Sequence, residues 1–130
     1  MTREWNKLFI EAKKRLNTKK ISPFITAGTY SCAIQTIDNN IYTGVTIVTT
    51  SSLSNSAETN AILNMINNGE NKIKKIIILN ELEELIMPCE EGIKNILELD
   101  INPEEVEILL EEKTIKLSDV LPDWWGTFRS

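Results

Sequence analysis

The chain has 130 residues, which is enough for one small hydrophobic core, and residues 1–130 are predicted to form a single α/β domain. Its net charge is −5, so it lacks the basic excess that neutralises phosphates, and we expect no nucleic-acid partner. It has no histidine, which excludes Ser-His-Asp and Cys-His catalysis and restricts metal ligands to Cys, Asp, Glu and backbone oxygen.

The first half of the chain is predicted to form a helix and a β-hairpin. Apolar residues recur at helical spacing over residues 3–16, and the charges that run through this segment argue against a secretory signal. Residues 30–37 and 41–48 are predicted strands, joined by an Asp-Asn-Asn turn at 38–40. No apolar run is long enough to span a membrane, so we expect a cytoplasmic protein with two reduced cysteines and no membrane partner.

The second half is predicted to alternate helices with strands. Gly69 is placed to end the first of these helices, and Pro88 suits the first turn of the next. The strand between them is apolar on both faces, which indicates a central strand covered on both sides. The predicted elements are a helix at 56–68, a strand at 72–80, a helix at 88–99, a strand at 106–110 and a short strand at 113–117.

Two predicted helix starts carry the residues with possible chemistry, at 55–58 and 88–92. Free N–H groups and the helix dipole favour anions there and lower the pKa of a thiol. Glu58 fits either a catalytic role or a capping box with Asn55 at the cap position. Cys89 fits either a nucleophile or an inert small hydrophobe, and the absence of a histidine base favours the inert interpretation.

Six segments resemble the small zinc-dependent cytidine deaminases, most closely a bacterial branch that ends in LPDWWG or LPEWWG. In family order they are SPFITAG at 22–28, NIYTGV at 40–45, SAETNAI at 56–62, NMINNGE at 64–70, PC at 88–89 and LPDWWG at 121–126. The resemblance covers nearly the whole chain. It implies a three-layer α/β/α fold with a mixed five-stranded sheet and helices on both faces.

The resemblance also implies where a zinc site would lie. In the family, three cysteines bind zinc, a water takes the fourth position, and a glutamate moves protons during the release of ammonia. Cys89 matches one ligand, and Glu58 matches the catalytic glutamate. Ser56 and Gly92 stand where the other two cysteines belong. Two of the three thiolates are therefore missing.

The expected function follows from that loss. We expect a non-catalytic homologue that binds a small nucleoside-like ligand or serves as an oligomer partner, with no cofactor. The alternative is an active hydrolase that deaminates a cytidine-like nucleoside or a related small amine. It would use Cys89 without a metal, or a zinc site rebuilt with Glu90 and Glu91, although acids in a first helical turn also complement the dipole.

The resemblance assigns three further positions to the substrate pocket: Phe24, Val48 and Trp125. Val48 stands where a carboxylate would accept a ribose hydroxyl, so this end of the pocket is altered. Trp125 lies in an aromatic tail that reaches a neighbouring subunit in related enzymes, although simple packing also explains it. We therefore expect a homo-oligomer, a dimer or tetramer, and an active paralogue is a second candidate partner.

Overall fold

The computed structural model describes residues 2–50, 55–99 and 105–120. These residues form three α-helices, six strands and a short 3-10 helix at Leu117–Val120. The helices are α1 (Arg3–Arg15), α2 (Ala57–Asn67) and α3 (Glu90–Leu99). The strands are β1 (Lys19–Ser22), β2 (Ile25–Thr36), β3 (Ile41–Thr49), β4 (Ile73–Leu79), β5 (Glu107–Leu109) and β6 (Thr114–Lys116).

All six strands belong to one mixed sheet that is organised around the long strand β2. Strand β3 pairs antiparallel along one edge of β2, while β1 and then β4 pair antiparallel along the other. Strand β5 lies parallel to β4, and β6 is antiparallel to β5. The predicted mixed sheet is therefore confirmed, with six strands rather than five.

The additional strand is β1, and sequence patterning missed it for a physical reason. Its burial pattern is exposed at three of four positions, so it carries no apolar alternation. Strand β2 begins at Ile25, whereas the prediction began it at residue 30. Between these positions Gly28 has a positive φ of 88°, and the β2–β3 register shifts between Ala27 and Ser31. Such a bulge breaks the two-residue period on which the prediction relied.

The predicted turns and the central strand are confirmed. The β2–β3 hairpin places Asn39 at a φ of 67°, and its N–H donates to the Thr36 carbonyl at 2.9 Å. Gly69 follows α2 with a φ of 86°, a conformation that favours glycine. Strand β4 is buried at six of its seven positions, as expected for a strand covered on both faces.

The helices cover opposite faces of the sheet, which confirms the predicted three layers. Trp5, Leu8 and Ala12 of α1 pack on one face in a cluster with Ala33 and Ile77. The second cluster contains α2 and α3 residues together with residues of β2 and β4, among them Cys32, Ile34, Ile76, Ile78, Ala57, Ala61, Met65 and Ile96. The starts of α2 and α3 therefore lie together under one face of the sheet.

A glycine sets how closely α2 approaches the sheet. A Cβ atom on Gly44 of β3 would lie 2.2 Å from the Ala61 nitrogen and 2.7 Å from the Ala57 carbonyl oxygen. Because both are backbone atoms, only glycine allows this contact. In the described part of the chain, no helix is long and apolar enough to cross a membrane.

Candidate functional site

The first element of the candidate site is the start of α2, where Ser56 is the N-cap residue. Its Oγ accepts a hydrogen bond from the Thr59 N–H at 3.1 Å and donates to Thr59 Oγ1 at 2.9 Å. The predicted capping box with Asn55 at the cap is wrong, because the helix begins one residue later, at Ala57. The Ser56 hydroxyl, at a position that the resemblance assigns to a zinc ligand, is thus engaged in capping its own helix.

Glu58 lies in the first turn of α2, but its side chain reaches α3. Only 4% of the residue is exposed, and Oε2 accepts a hydrogen bond from the backbone N–H of Cys89 at 2.9 Å. A buried carboxylate is tolerated when such donors satisfy it. The free N–H groups before α3 supply that donor, and the positive end of the helix dipole favours the anion.

Gly92 lies in the first turns of α3, directly against Glu58. A Cβ atom at this position would be 2.5 Å from Glu58 Oε2, 2.9 Å from Cγ and 3.0 Å from Cβ. The carboxylate side chain therefore fills the space that any side chain at position 92 would enter. In the sequence this glycine only marks a missing ligand, whereas its packing gives it a positive role.

Cys89 is exposed, and its environment opposes thiolate formation. The pKa of its thiol is raised above the usual 9.0, first by partial desolvation and second by a hydrogen bond with Glu58. The Gly92 N–H, which donates to Sγ at 3.4 Å, acts in the opposite direction but does not reverse the shift. The inert interpretation of Cys89 is therefore favoured, because the thiolate is the reactive form.

The other cysteine, Cys32 of β2, is fully buried beneath the same site. Burial raises the pKa of its thiol well above the usual 9.0, and the nearby Glu58 carboxylate raises it further. Cys32 is therefore best explained as a small apolar residue of the core. Both cysteines are free.

A second set of contacts between α2 and α3 was not predicted from the sequence. Asn95 Nδ2 donates to Thr59 Oγ1 at 2.9 Å, and Thr59 Oγ1 donates to Glu91 Oε1 at 3.4 Å. Helical spacing places Glu91 and Asn95 on one face of α3, and this was the available signal. The Glu91 carboxylate, suggested as part of a rebuilt metal site, faces Thr59 of α2 instead.

The residues at this site do not fit the zinc that the resemblance implies. One position holds a hydroxyl engaged in a cap, one holds the single retained thiol, and one holds a glycine whose side-chain space is filled by a carboxylate. Zinc prefers thiolate, imidazole or carboxylate ligands in a tetrahedral set. Within residues 2–50, 55–99 and 105–120, no group of three or more Cys, Asp or Glu side chains could hold a metal ion.

A cavity of about 330 Å³ lies beside these helix starts. Ser56, Glu58 and Cys89 line it, so three of the four residues that the resemblance assigns to the zinc and catalytic positions meet there, with Gly92 behind Glu58. The other lining residues come from the sheet, from α2 and from the segment before α3: Tyr30, Thr46, Ala57, Ile78, Ile86 and Met87. Of these, Thr46 could have been placed from the sequence, because strand alternation puts it on the same face of β3 as Gly44, which faces α2.

Of the three predicted pocket residues, Phe24 and Val48 are described, and neither is among the lining residues of this cavity. Phe24 is 65% exposed, and Val48 is 49% exposed on the same face of β3 as Thr46, two residues further along the strand. Trp125 and the rest of the LPDWWG segment lie outside the described residues. A pocket role for these residues stays a prediction.

No family profile matches the chain, and no curated protein is significantly similar to it in sequence. Solved structures are similar, however. The cytidine deaminase from Mycobacterium tuberculosis superimposes with a TM-score of 0.77 at 22% identity, covering 94% of this chain and 97% of that chain. The Mycobacterium leprae cytidine deaminase superimposes with a TM-score of 0.76 at 20% identity, covering 92% of this chain and 98% of that chain. The Bacillus anthracis cytidine deaminase superimposes with a TM-score of 0.72 at 21% identity, covering 98% of this chain and 93% of that chain. The chain therefore has the cytidine deaminase fold, as the resemblance predicted.

Proposed function

We propose that this chain, which has the cytidine deaminase fold, is a non-catalytic homologue of those enzymes that binds a small nucleoside-like ligand beside Glu58. One observation carries the proposal. The cavity of about 330 Å³ is present at the starts of α2 and α3, while the zinc-ligand positions beside it hold Ser56 and Gly92. A binding cavity without its metal ligands supports recognition without chemistry.

The lining residues support a flat ligand with hydrogen-bond donors. Ile78, Ile86 and Met87 give an apolar wall, and the ring of Tyr30 offers a surface for stacking. Glu58 presents a carboxylate at one side of the cavity, and an ionised carboxylate only accepts hydrogen bonds. An amino-substituted heterocycle, as in cytidine, matches this combination of an apolar wall and an acceptor.

The same residues give a physical reason to expect no deamination. Without a Lewis acid, water at neutral pH supplies too little hydroxide to attack a heterocycle. The raised pKa of Cys89 disfavours a thiolate nucleophile, and Oε2 of Glu58 is already bonded to the Cys89 N–H. The alternative of a hydrolase that uses a rebuilt zinc site or Cys89 is therefore less well supported than ligand binding alone.

Calorimetric titration with cytidine, uridine and cytosine tests the proposal, together with an ammonia-release assay. We expect saturable binding of at least one amino-substituted ligand, unchanged by EDTA, and no ammonia above background. Tyr30→Ala, which removes a wall of the cavity, should weaken binding at least tenfold, whereas Ile10→Ala, at an exposed position of α1, is the matched control. Ammonia release abolished by Glu58→Gln, or no binding of any of the three ligands, would overturn the proposal.

We also propose that residues 1–130 act as one cytoplasmic domain that assembles with further copies of itself. Support comes from the outer face of α2, where Leu63 and Ile66 are 48% and 46% exposed and line a groove against α3. Exposed apolar surface of this kind favours a protein partner. Light scattering should give a homo-oligomer that Leu63→Asp dissociates, and a monomeric parent chain would contradict this.

A further inference from the structure

We propose that Glu58 and Gly92 form a structural lock, a hydrogen bond and a packing contact that hold the starts of α2 and α3 together in place of a bound metal. In this chain the two helix starts are connected by the hydrogen bond from the Cys89 N–H to Glu58 Oε2 and by the packing of Gly92 on the same side chain. The lock does not depend on the ligand proposed above. It makes Glu58 a positioning residue rather than a proton shuttle.

The hydrogen bond supplies the attractive part of the lock. The backbone N–H groups at the start of α3 have no partner inside their own helix, and the dipole makes that end favourable for an anion. The Glu58 carboxylate fills this role from within the chain, at 2.9 Å from the Cys89 nitrogen and with only 4% of the residue exposed. Because Glu58 is largely buried, its hydrogen bond is stronger than the same bond would be in water.

The glycine supplies the space in which the carboxylate lies. Glycine is a poor helix former, and the helical backbone of α3 at position 92 does not require a positive φ. Its presence is explained by contact instead, since a Cβ atom would come within 2.5 Å of Glu58 Oε2 and 2.9 Å of Cγ. Position 92 and position 58 are therefore coupled. A side chain at position 92 would exclude the observed position of the Glu58 side chain, and that side chain in turn leaves room only for glycine at position 92.

A neighbouring contact makes the junction stronger on its outer side. Thr59, the residue after Glu58, accepts from Asn95 of α3 at 2.9 Å and donates to Glu91 at 3.4 Å. The first turn of α2 is thus held against α3 by protein groups at two neighbouring residues, Glu58 and Thr59. We infer that the cavity is formed before any ligand binds and needs no metal for its shape.

A double-mutant cycle on the full chain tests the coupling, with thermal unfolding followed by circular dichroism. Gly92→Ala should lower the melting temperature by about 5 °C or more in the parent chain. It should do the same in Glu58→Gln, which keeps the size of the side chain and an oxygen that accepts from the Cys89 N–H. In Glu58→Ala the penalty should fall below half, since only a Cβ–Cβ approach of 3.0 Å then remains.

Two controls separate the lock from general effects. Lys94→Ala changes an exposed residue of the same helix and should leave the melting temperature within about 1 °C. EDTA and added zinc should not shift the melting temperature of the parent chain. If Glu58→Ala does not fold, Glu58→Ser replaces it in the cycle. An equal Gly92→Ala penalty in all backgrounds, a stabilising Gly92→Ala in the parent chain, or a loss of stability in EDTA would each overturn the proposal.

Discussion

Restoring the two missing cysteines should destabilise the protein before it restores a metal site. In Ser56→Cys/Gly92→Cys, the new Cβ at position 92 would lie 2.5 Å from Glu58 Oε2 in the present arrangement. Glu58 must therefore move, and its hydrogen bond from the Cys89 N–H is lost. The new Cβ, the lost hydrogen bond and the replaced cap each lower the free energy of unfolding.

Overpacking of a filled core costs about 1–3 kcal/mol, and leaving a buried polar group without its partner costs about 1–3 kcal/mol more. Replacement of the Ser56 cap, which accepts from the Thr59 N–H at 3.1 Å, adds about 1 kcal/mol. We expect a total loss of about 3–7 kcal/mol in the free energy of unfolding. This is a large share of the roughly 5–15 kcal/mol that a domain possesses.

Urea unfolding without metal measures that loss, and the titration is then repeated with zinc. Apparent zinc binding energies of about 10–16 kcal/mol in small structural sites exceed the expected loss, so zinc should restore folding of the double variant. Ser56→Cys alone should lose only about 1 kcal/mol, the cost of the cap, and Lys94→Cys controls for an added thiol. A double variant as stable as the parent without zinc would refute the packing of Gly92 on Glu58.

Three further predictions concern other parts of the molecule. Gly44→Ala should lower the free energy of unfolding by at least about 3 kcal/mol and make the protein prone to aggregation, because the new Cβ would lie 2.2 Å from the Ala61 nitrogen. Unchanged urea unfolding would contradict this close packing. Hydrogen bonds from Thr36, Tyr42 and Asn40 lower the folded-state pKa of Glu70 below its usual 4.5, so its contribution to stability is present above pH 4.5 and is lost as the pH falls through the lowered value. Glu70→Gln should therefore flatten the acid limb of a stability-against-pH curve, and an unchanged limb would exclude this role. A chain that ends at residue 122 should form a smaller assembly by light scattering than the full chain, and an unchanged assembly would remove the aromatic tail as its cause.

The sequence was sufficient to predict most of the fold. Helices α1, α2 and α3 and the central strand β4 carry apolar periodicity that matches their buried faces, and the hairpin turn contains Asn residues that tolerate a positive φ. Strand β1 escaped prediction because a mostly exposed four-residue strand carries no such pattern. Its register with β2 also shifts between Lys20 and Ser22, and such an irregularity is a property of two strands rather than one.

The candidate site was predicted in part. The resemblance implied that Ser56, Glu58, Cys89 and Gly92 lie near one another, and the structure brings them together under one face of the sheet. The direction of the Glu58 side chain was missed, because a capping box is a local pattern and the actual donor is a backbone N–H 31 residues away. Tyr30 was missed for the same reason, as its place in the cavity depends on packing between elements.

The zinc content of the protein, purified without chelator, tests the central claim most directly. The account predicts far less than one zinc per chain, because Ser56 caps its own helix and Glu58 fills the side-chain space at Gly92. Elemental analysis of the parent chain beside Cys89→Ser provides the comparison. One zinc per chain in the parent, lost in Cys89→Ser, would contradict the account.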